Sequence, residues 1–204
     1  MLPQKQLVQV LRRGAGVPMH GPFSRAVALQ YLFPKPAPAR RVTPQPLWGM
    51  GSKLYGGRYT PKNSFETIYV AKDMVTALAE VVAIVTGHPG PPLTLASGPW
   101  VIVAIHGFLS SALDLTNPTT VQALGSSYQE LTGAWRYVPG QKEEPPTHLL
   151  GRLCHKSKRF DGICFPSSKN PPLGICIAVF PDRLKSPAYL EVYDPQNNVA
   201  QRLP

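Results

Sequence analysis

The chain's 204 residues are 43% hydrophobic and 16% charged, which excludes an intrinsically disordered protein and a long coiled coil. Its 24 prolines and 17 glycines argue against a helical bundle and favour a loop-rich α+β or mostly β fold. The formal net charge of +10 is uneven, because ten basic residues precede Glu66, the first acidic residue. This basic first third predicts contact with an anionic ligand or partner; a basic surface that keeps the protein soluble is the alternative.

The first half of the chain alternates short periodic stretches with turn-rich ones. Residues 2–13 predict a short helix with Leu7 and Leu11 on one face. Five prolines in residues 34–48 exclude a helix or a central strand there, so we expect an extended loop. A tight turn region is predicted over the glycine-rich residues 49–59.

The most regular part follows. Residues 67–71 are rich in β-formers and predict a strand, after which Asp73 is a plausible N-cap for a helix over residues 74–86, closed by a glycine and a proline. Residues 100–105 are apolar on both faces and predict a central strand. A capped helix is expected within residues 114–124.

The last third is predicted to contain three strands and a tail. Residues 163–165 and 174–180 indicate a strand pair joined by a turn-rich loop, and residues 190–193 one more strand. Residues 195–204 are expected to form a tail. The three cysteines cannot all pair and lack a C-x-x-C spacing, so we expect free thiols and no metal site. Since neither a secretory signal nor a membrane span is visible, a soluble cytoplasmic protein is expected.

Glu80 is the most informative residue. Ten of the twelve residues 74–85 are apolar and they cover all faces, so this helix is predicted to be buried all round. Its neighbours one turn away cannot neutralise Glu80, and an unpaired buried carboxylate costs several kcal/mol. Glu80 therefore forms a buried ion pair that only stabilises the fold, or it lies at the wall of a ligand pocket, near Arg58 and Tyr69.

Residues 56–81, GGRYTPKNSFETIYVAKDMVTALAEV, resemble the core motif of the RES domain family, named for its Arg, Glu and Ser. Arg58, Tyr69 and Glu80 stand eleven residues apart, which is similar to the spacing of about ten residues in this pattern. The segments 113–125 and 161–180 also resemble the family, with Ser167 as the family serine. More loosely, PFSRA at residues 22–26 is similar to an early Phe-Arg motif, which makes Arg25 a candidate.

The resemblance implies an α+β fold that is ADP-ribosyltransferase-like, with two small β-sheets around an NAD cleft and flanking helices. It also implies a division into a basic N-terminal arm (1–19), a RES domain (20–185) with the proline-rich loop 34–48 as an insertion, and a C-terminal strand and tail (186–204). Family members are toxins of toxin–antitoxin pairs that cleave the nicotinamide–ribose bond of NAD by hydrolysis or phosphorolysis.

The expected ligand is therefore NAD as a substrate, without a metal, and the expected partner is a small helix-turn-helix antitoxin that blocks the cleft. No membrane contact is expected, and nucleic acid would be met only indirectly through that partner. Mono-ADP-ribosylation of a protein is the alternative reaction. A nucleic-acid or partner-binding module that uses the basic first third is a less favoured alternative.

The resemblance assigns the site residues. Glu80 would stabilise the ribose cation that forms as nicotinamide leaves; nicotinamide leaves as a neutral molecule, so no acid is needed beside this one carboxylate. Arg58 and Arg25 would bind the two phosphates through their planar guanidinium groups, and Gly57 would let the backbone approach the ligand. Tyr69 would stack on a ring or orient the ribose. Ser167 would donate to nicotinamide or to Glu80, and a turn-capping hydroxyl is its alternative role.

Overall fold

A computed structural model describes residues 1–32, 44–86, 99–133, 135, 144–197 and 199–204. Within these residues the β-strands are β1 (Val17–His20), β2 (Phe23–Ala28), β3 (Ile68–Ala71), β4 (Trp100–Asp114), β5 (Gly162–Pro166), β6 (Ile175–Val179), β7 (Tyr189–Asp194) and β8 (Val199–Leu203). The α-helices are α1 (Gln4–Arg13), α2 (Leu29–Leu32), α3 (Met50–Tyr55), α4 (Met74–Thr86), α5 (Pro118–Ala123), α6 (Tyr128–Thr132) and α7 (Pro146–Ser157), and a 3₁₀ helix spans Pro181–Arg183.

The long strand β4 organises the sheet. Its first half pairs antiparallel with β2, from Trp100 opposite Ala28 to Ile105 opposite Phe23. Farther along, Phe108 pairs with both β1 and β7, so these two strands lie on opposite edges of β4. The end of β4 pairs in parallel with β5. One strand of 15 residues therefore joins parts of the sheet that would otherwise be separate.

The remaining pairings close the sheet on itself. β5 pairs with β6, β6 with β3, and β3 with β2 through Ser24 and Ala71. Because β2 also pairs with β4, five strands form a ring, in the order β4-β2-β3-β6-β5. The α+β class predicted from the sequence is confirmed. The two small sheets that were expected are not separate, however, because all eight described strands belong to one hydrogen-bonded sheet. The length of β4 is the reason, since this strand pairs with both parts.

The two ends of the chain pack into the same structure as its centre. Leu7 and Leu11 of α1 are buried and share a core cluster with Leu150 of α7 and Phe160. Residues 1–19, predicted as an arm, therefore supply part of the core. Residues 186–204, predicted as a strand and tail, contain β7 and β8, which pair antiparallel over their whole length.

Helix α4 differs from its prediction. Asp73 caps it as expected, since the Asp73 carboxylate accepts from the backbone N–H of Thr76 at 2.8 Å. The helix is not buried all round, however: Met74 is 53% exposed and Val75 62%. Its opposite face, which includes Ala77, is buried against the sheet. Hydrophobicity predicted burial wrongly because α4 lies on the outside of the sheet, and packs through one face.

Other elements agree with their predictions except at three places. The predicted turn region 49–59 contains α3, the predicted tail 195–204 contains β8, and β4 runs to Asp114, well beyond the predicted strand of residues 100–105. The capped helix expected within residues 114–124 is confirmed: it begins at Pro118, and the Asn117 side chain caps it by accepting from the N–H of Thr119. Of the proline-rich loop 34–48, residues 34–43 lie outside the described residues, as do the glycine and proline expected to close α4.

Candidate active site

A cavity of about 580 Å³ opens beside β2, β3 and α4, and its volume lies within the range of roughly 300–1,000 Å³ that small-molecule sites occupy. Five of the six predicted site residues line it: Arg25, Gly57, Arg58, Tyr69 and Glu80. Strand β3 and helix α4 are joined by two residues. This short connection is what brings Tyr69 and Glu80 to one cavity.

Glu80 is half-buried at the cavity wall. Its Oε1 atom accepts a hydrogen bond from Ser167 Oγ at 2.6 Å, and the thiol of Cys176 lies 3.8 Å from the same atom. Within the described part of the chain, none of the ion pairs includes Glu80. Of the two alternatives for this carboxylate, the geometry is that of a pocket wall.

Ser167, the sixth predicted residue, lies directly behind this carboxylate. Its side chain is buried, and its Oγ accepts from the backbone N–H groups of Lys169 at 3.1 Å and Asn170 at 3.2 Å while it donates to Glu80. Both roles proposed for Ser167, a turn cap and a donor to Glu80, are therefore present together. The Asn170 side chain also donates to Thr76 of α4. The loop and the helix that carry Ser167 and Glu80 are thus tied together at two points.

The phenol of Tyr69 holds the turn that carries Arg58. Its Oη accepts from the N–H of Tyr59 at 2.9 Å and lies 2.9 Å from Thr60 Oγ1. Since Thr60 donates its own hydroxyl proton to Thr67, the phenol is the donor to Thr60. Burial raises the pKa of Tyr69 to about 12, so the phenol stays neutral at physiological pH. Its polar atom supports the turn, while the residue's ring lines the cavity.

The glycine pair permits this arrangement. A Cβ atom on Gly57 would lie 2.6 Å from Tyr69 Oη and 2.7 Å from its ring atom Cε2. Gly56 has a φ of +82°, a conformation that residues with a side chain rarely adopt. Gly57 thus lets its own backbone lie close to the Tyr69 ring. That it also lets the backbone approach a ligand stays a prediction.

Arg58 is anchored by backbone carbonyl groups. Its Nη1 donates to the carbonyl oxygens of Leu131 at 2.8 Å and Gly133 at 2.9 Å, at the end of α6. Its Nη2 lies 3.3 Å from Ser168 Oγ and donates to it. The guanidinium group is therefore oriented by uncharged acceptors, and it brings a positive charge to the cavity.

Arg25 is held in the same way on the other side of the cavity. Its two terminal nitrogens donate to the carbonyl oxygens of Pro46 at 2.7 Å and Trp48 at 2.9 Å. Burial lowers the pKa of Arg25 to about 10, and the nearby charge of Glu66 opposes this shift. Arg25 is thus still a cation at neutral pH.

Several residues of the site were not predicted. Ser168, Lys169, Trp100 and Cys176 line the cavity, and their types carry no pattern in the sequence that points to a site. His148 was not predicted as a site residue either. Its Nε2 lies 2.9 Å from the carbonyl oxygen of Gly57, and burial lowers its pKa, so a neutral imidazole supports the glycine turn.

No group of three or more His, Cys, Asp or Glu side chains in the described ranges could hold a metal ion. None of the helices described is both long and apolar enough to cross a membrane. The three cysteines are free and buried.

This chain resembles a protein of known structure in its fold, and its sequence matches the model of a known family. A chain in the crystal structure of the M. tuberculosis MbcT–MbcA toxin–antitoxin complex superposes with a TM-score of 0.67 at 17% identity, over 93% of this chain and 90% of that chain. At this identity the match shows a shared fold. Among curated proteins, none matches the chain. The sequence model of the RES domain matches residues 35–200, a range that includes every predicted site residue except Arg25. The chain belongs to the RES domain family.

Proposed function

We propose that this protein consumes NAD by cleaving the bond between nicotinamide and ribose, with water or phosphate as the acceptor. The observation that carries the proposal is the Glu80 carboxylate, held by Ser167 at 2.6 Å on the wall of a 580 Å³ cavity. Among the described residues that line this cavity, Glu80 is the only acid, whereas Arg25, Arg58 and Lys169 are bases. Such a lining suits an anionic ligand in which one part becomes positive during the reaction.

Charge development explains why a single carboxylate is enough. Nicotinamide is cationic in NAD and leaves as a neutral molecule, so the positive charge moves to the ribose ring. A carboxylate about 4 Å from that charge contributes about 4 kcal/mol at an effective dielectric constant near 20. This corresponds to a rate increase of about a thousandfold. Because Ser167 orients the carboxylate before the substrate binds, the charge needs no rearrangement during the reaction.

The two arginines are the proposed ligands of the diphosphate. Both line the cavity, and both have their positions set by backbone carbonyl groups. Because these acceptors are uncharged, they do not neutralise either guanidinium group as an acceptor carboxylate would. Among the described residues, Glu66 acts on Arg25 through its charge without accepting a hydrogen bond from it. We propose that Arg25 and Arg58 act mainly through this charge and through the guanidinium edges that the carbonyl groups do not occupy.

The biological role that we propose is that of the toxin of a toxin–antitoxin pair, with a small helix-turn-helix protein as the partner that blocks the cavity. Membership of the RES domain family and the fold shared with a chain of the MbcT–MbcA complex support this role. We expect that producing the wild-type protein in cells lowers their NAD content, and that the Glu80→Gln variant leaves it unchanged.

The direct test is product analysis after incubation of the purified protein with NAD. Free nicotinamide together with ADP-ribose indicates hydrolysis, a phosphorylated ADP-ribose formed only in phosphate buffer indicates phosphorolysis, and label retained on a protein indicates mono-ADP-ribosyl transfer. Glu80→Gln keeps an oxygen that can accept from Ser167 but loses the charge, so we expect nicotinamide release to fall by about a thousandfold. The matched control is Glu191→Gln, which removes a carboxylate of the surface pair with Arg202 and should change nothing.

Two results would contradict the proposal. One is the absence of nicotinamide release from NAD by a folded wild-type protein. The other is full activity of Glu80→Gln, which would show that this carboxylate does not take part in the reaction.

A further inference from the structure

A second cavity, of about 180 Å³, adjoins the first. The two share three lining residues, Arg25, Ala26 and Trp100, whereas Glu80 lines only the larger one. The smaller cavity lies between β2 and α3, and none of its described lining residues is acidic. It is therefore an extension of the candidate site, with Arg25 at the boundary between the two volumes.

Aromatic side chains dominate this smaller cavity. Tyr31, Trp48, Tyr55 and Trp100 all line it. Tyr31 is 44% exposed and Tyr55 is 69% exposed, and large exposed aromatic side chains gathered at one hollow are typical of a binding surface. The backbone of Trp48 is tied to the same cation, because its carbonyl oxygen accepts from the guanidinium group of Arg25.

We propose that this aromatic cavity binds the purine base of a dinucleotide whose diphosphate lies near Arg25 and whose ribose–nicotinamide half reaches Glu80. The proposal rests on the proposed function, and it names the part of the molecule that recognises the second half of the substrate. A purine is flat and apolar on both faces, so it stacks on tryptophan and tyrosine rings whatever its substituents. The shared Arg25 gives the cation that a diphosphate between the two halves requires.

A purine site in the smaller cavity also accounts for the position of Arg25. A guanidinium group that served only to hold residues 46–48 would not need to border either cavity, yet Arg25 lines both. A protein side chain from a partner is the competing occupant of an exposed aromatic hollow. The two alternatives differ in one measurable respect: a cavity that serves only a partner's side chain should have no affinity for a purine nucleotide.

The test compares AMP binding in three single variants. Trp48→Ala and Tyr55→Ala each remove one aromatic wall of the cavity. Tyr193→Ala is the matched control, because Tyr193 is 70% exposed on β7, as Tyr55 is on α3, and lines neither cavity. One stacking side chain contributes about a factor of ten to the binding of a base, so calorimetric titration with AMP should give a Kd raised about tenfold by either cavity variant and unchanged by Tyr193→Ala.

A second measurement uses turnover. Nicotinamide mononucleotide lacks the purine half, so Trp48→Ala and Tyr55→Ala should lower kcat/KM for NAD about tenfold and leave kcat/KM for the mononucleotide unchanged. Tyr55 is so exposed that its alanine variant should fold normally, which keeps the test valid if Trp48→Ala does not fold.

The two proposals fail in different ways. If the protein releases no nicotinamide, the proposed function is wrong, and AMP binding still reports on the cavity. If nicotinamide is released but wild-type protein does not bind AMP, or if all three variants bind it equally, the purine site is wrong. Equal losses of NAD and mononucleotide turnover would also overturn it, because they would indicate a general effect on the larger cavity.

Discussion

Replacing Ser167 by alanine removes three hydrogen bonds with one atom. The hydroxyl donates to Glu80 at 2.6 Å, and it accepts from the N–H groups of Lys169 and Asn170 at 3.1 and 3.2 Å. The alanine variant leaves those two N–H groups without their acceptor, and it leaves the Glu80 carboxylate with only the weaker thiol donor of Cys176 at 3.8 Å. Since Ser167 does not line the cavity, any effect on turnover must be transmitted through Glu80 or through the loop.

The expected losses can be separated into stability and turnover. A hydrogen bond to a charged group contributes about 1.5–3 kcal/mol, so a kcat that depends on an oriented carboxylate should fall about ten- to a hundredfold. The two lost backbone hydrogen bonds should together lower the free energy of unfolding by about 2 kcal/mol. For a chain of this size, that lowers Tm by about 4–8 °C.

The assay is nicotinamide release with saturating NAD, beside thermal unfolding. The chain offers a matched control in Ser126→Ala, because Ser126 Oγ donates to Glu130 at 2.7 Å in the same way and neither residue lines the cavity. We expect the control to lose some stability and to keep its kcat. Combined with Glu80→Gln, Ser167→Ala should add little further loss of kcat, since the glutamine variant has already lost the charge that the Ser167 hydroxyl orients.

Two outcomes would refute this reasoning. If Ser167→Ala retains the kcat of Ser126→Ala while Glu80→Gln is inactive, then the hydroxyl does not position the carboxylate. If the effects of Ser167→Ala and Glu80→Gln on kcat simply add, the serine acts on the reaction independently of Glu80.

Two further predictions concern the glycine turn. Gly57→Ala places a methyl group 2.6 Å from the Tyr69 phenol oxygen and should lower the free energy of unfolding by about 1–3 kcal/mol. Gly51→Ala is the control: nothing lies within 4 Å of the added methyl group, and Gly51 is a helical residue of α3, so its Tm should equal or slightly exceed that of the wild type. Equal Tm values for the two variants would contradict the packing argument. His148→Gln preserves a donor to Gly57 and removes a group that titrates. Because burial lowers the pKa of His148 in the folded state, protonation favours unfolding, so the stability that the neutral form contributes is complete above the ordinary histidine pKa of about 6.5 and is lost as pH falls below it. The fall in Tm between pH 7.5 and about 5.5 should therefore be smaller in His148→Gln than in the wild type, and an identical fall would show that His148 is not the source.

Local patterns predicted correctly that Tyr69 and Glu80 lie at one cavity. Tyr69 and Glu80 lie on a strand and a helix separated by two residues, and the sequence patterns of these elements were clear, so their common cavity followed from the connection. Ser167 is 87 residues from Glu80 along the chain. No periodicity or spacing relates two such positions, and only the resemblance to a family could indicate that they meet.

The errors have a common physical origin. Hydrophobicity predicted a fully buried α4, but it counts apolar side chains without knowing which other elements cover them, and Met74 and Val75 are exposed. Strand β8 was missed for the same reason: its short sequence contains polar residues and was therefore predicted as a tail. Its pairing is decided by β7, which supplies the hydrogen-bond partners of residues 199–203.

The arginines show why a residue type alone does not reveal its role. The sequence alone does not distinguish an arginine that binds phosphate from one that only stabilises the fold. In the structure, Arg25 and Arg58 both donate to backbone carbonyl groups. The two roles are compatible because a carbonyl oxygen is neutral. An arginine fixed by carboxylates would bring almost no net charge to the cavity, whereas an arginine fixed by carbonyl groups is rigid and still positive. A rigid cation beside a cavity costs a bound anion less entropy than a mobile one, so the contacts that appear purely structural are also those that would prepare the site for a diphosphate.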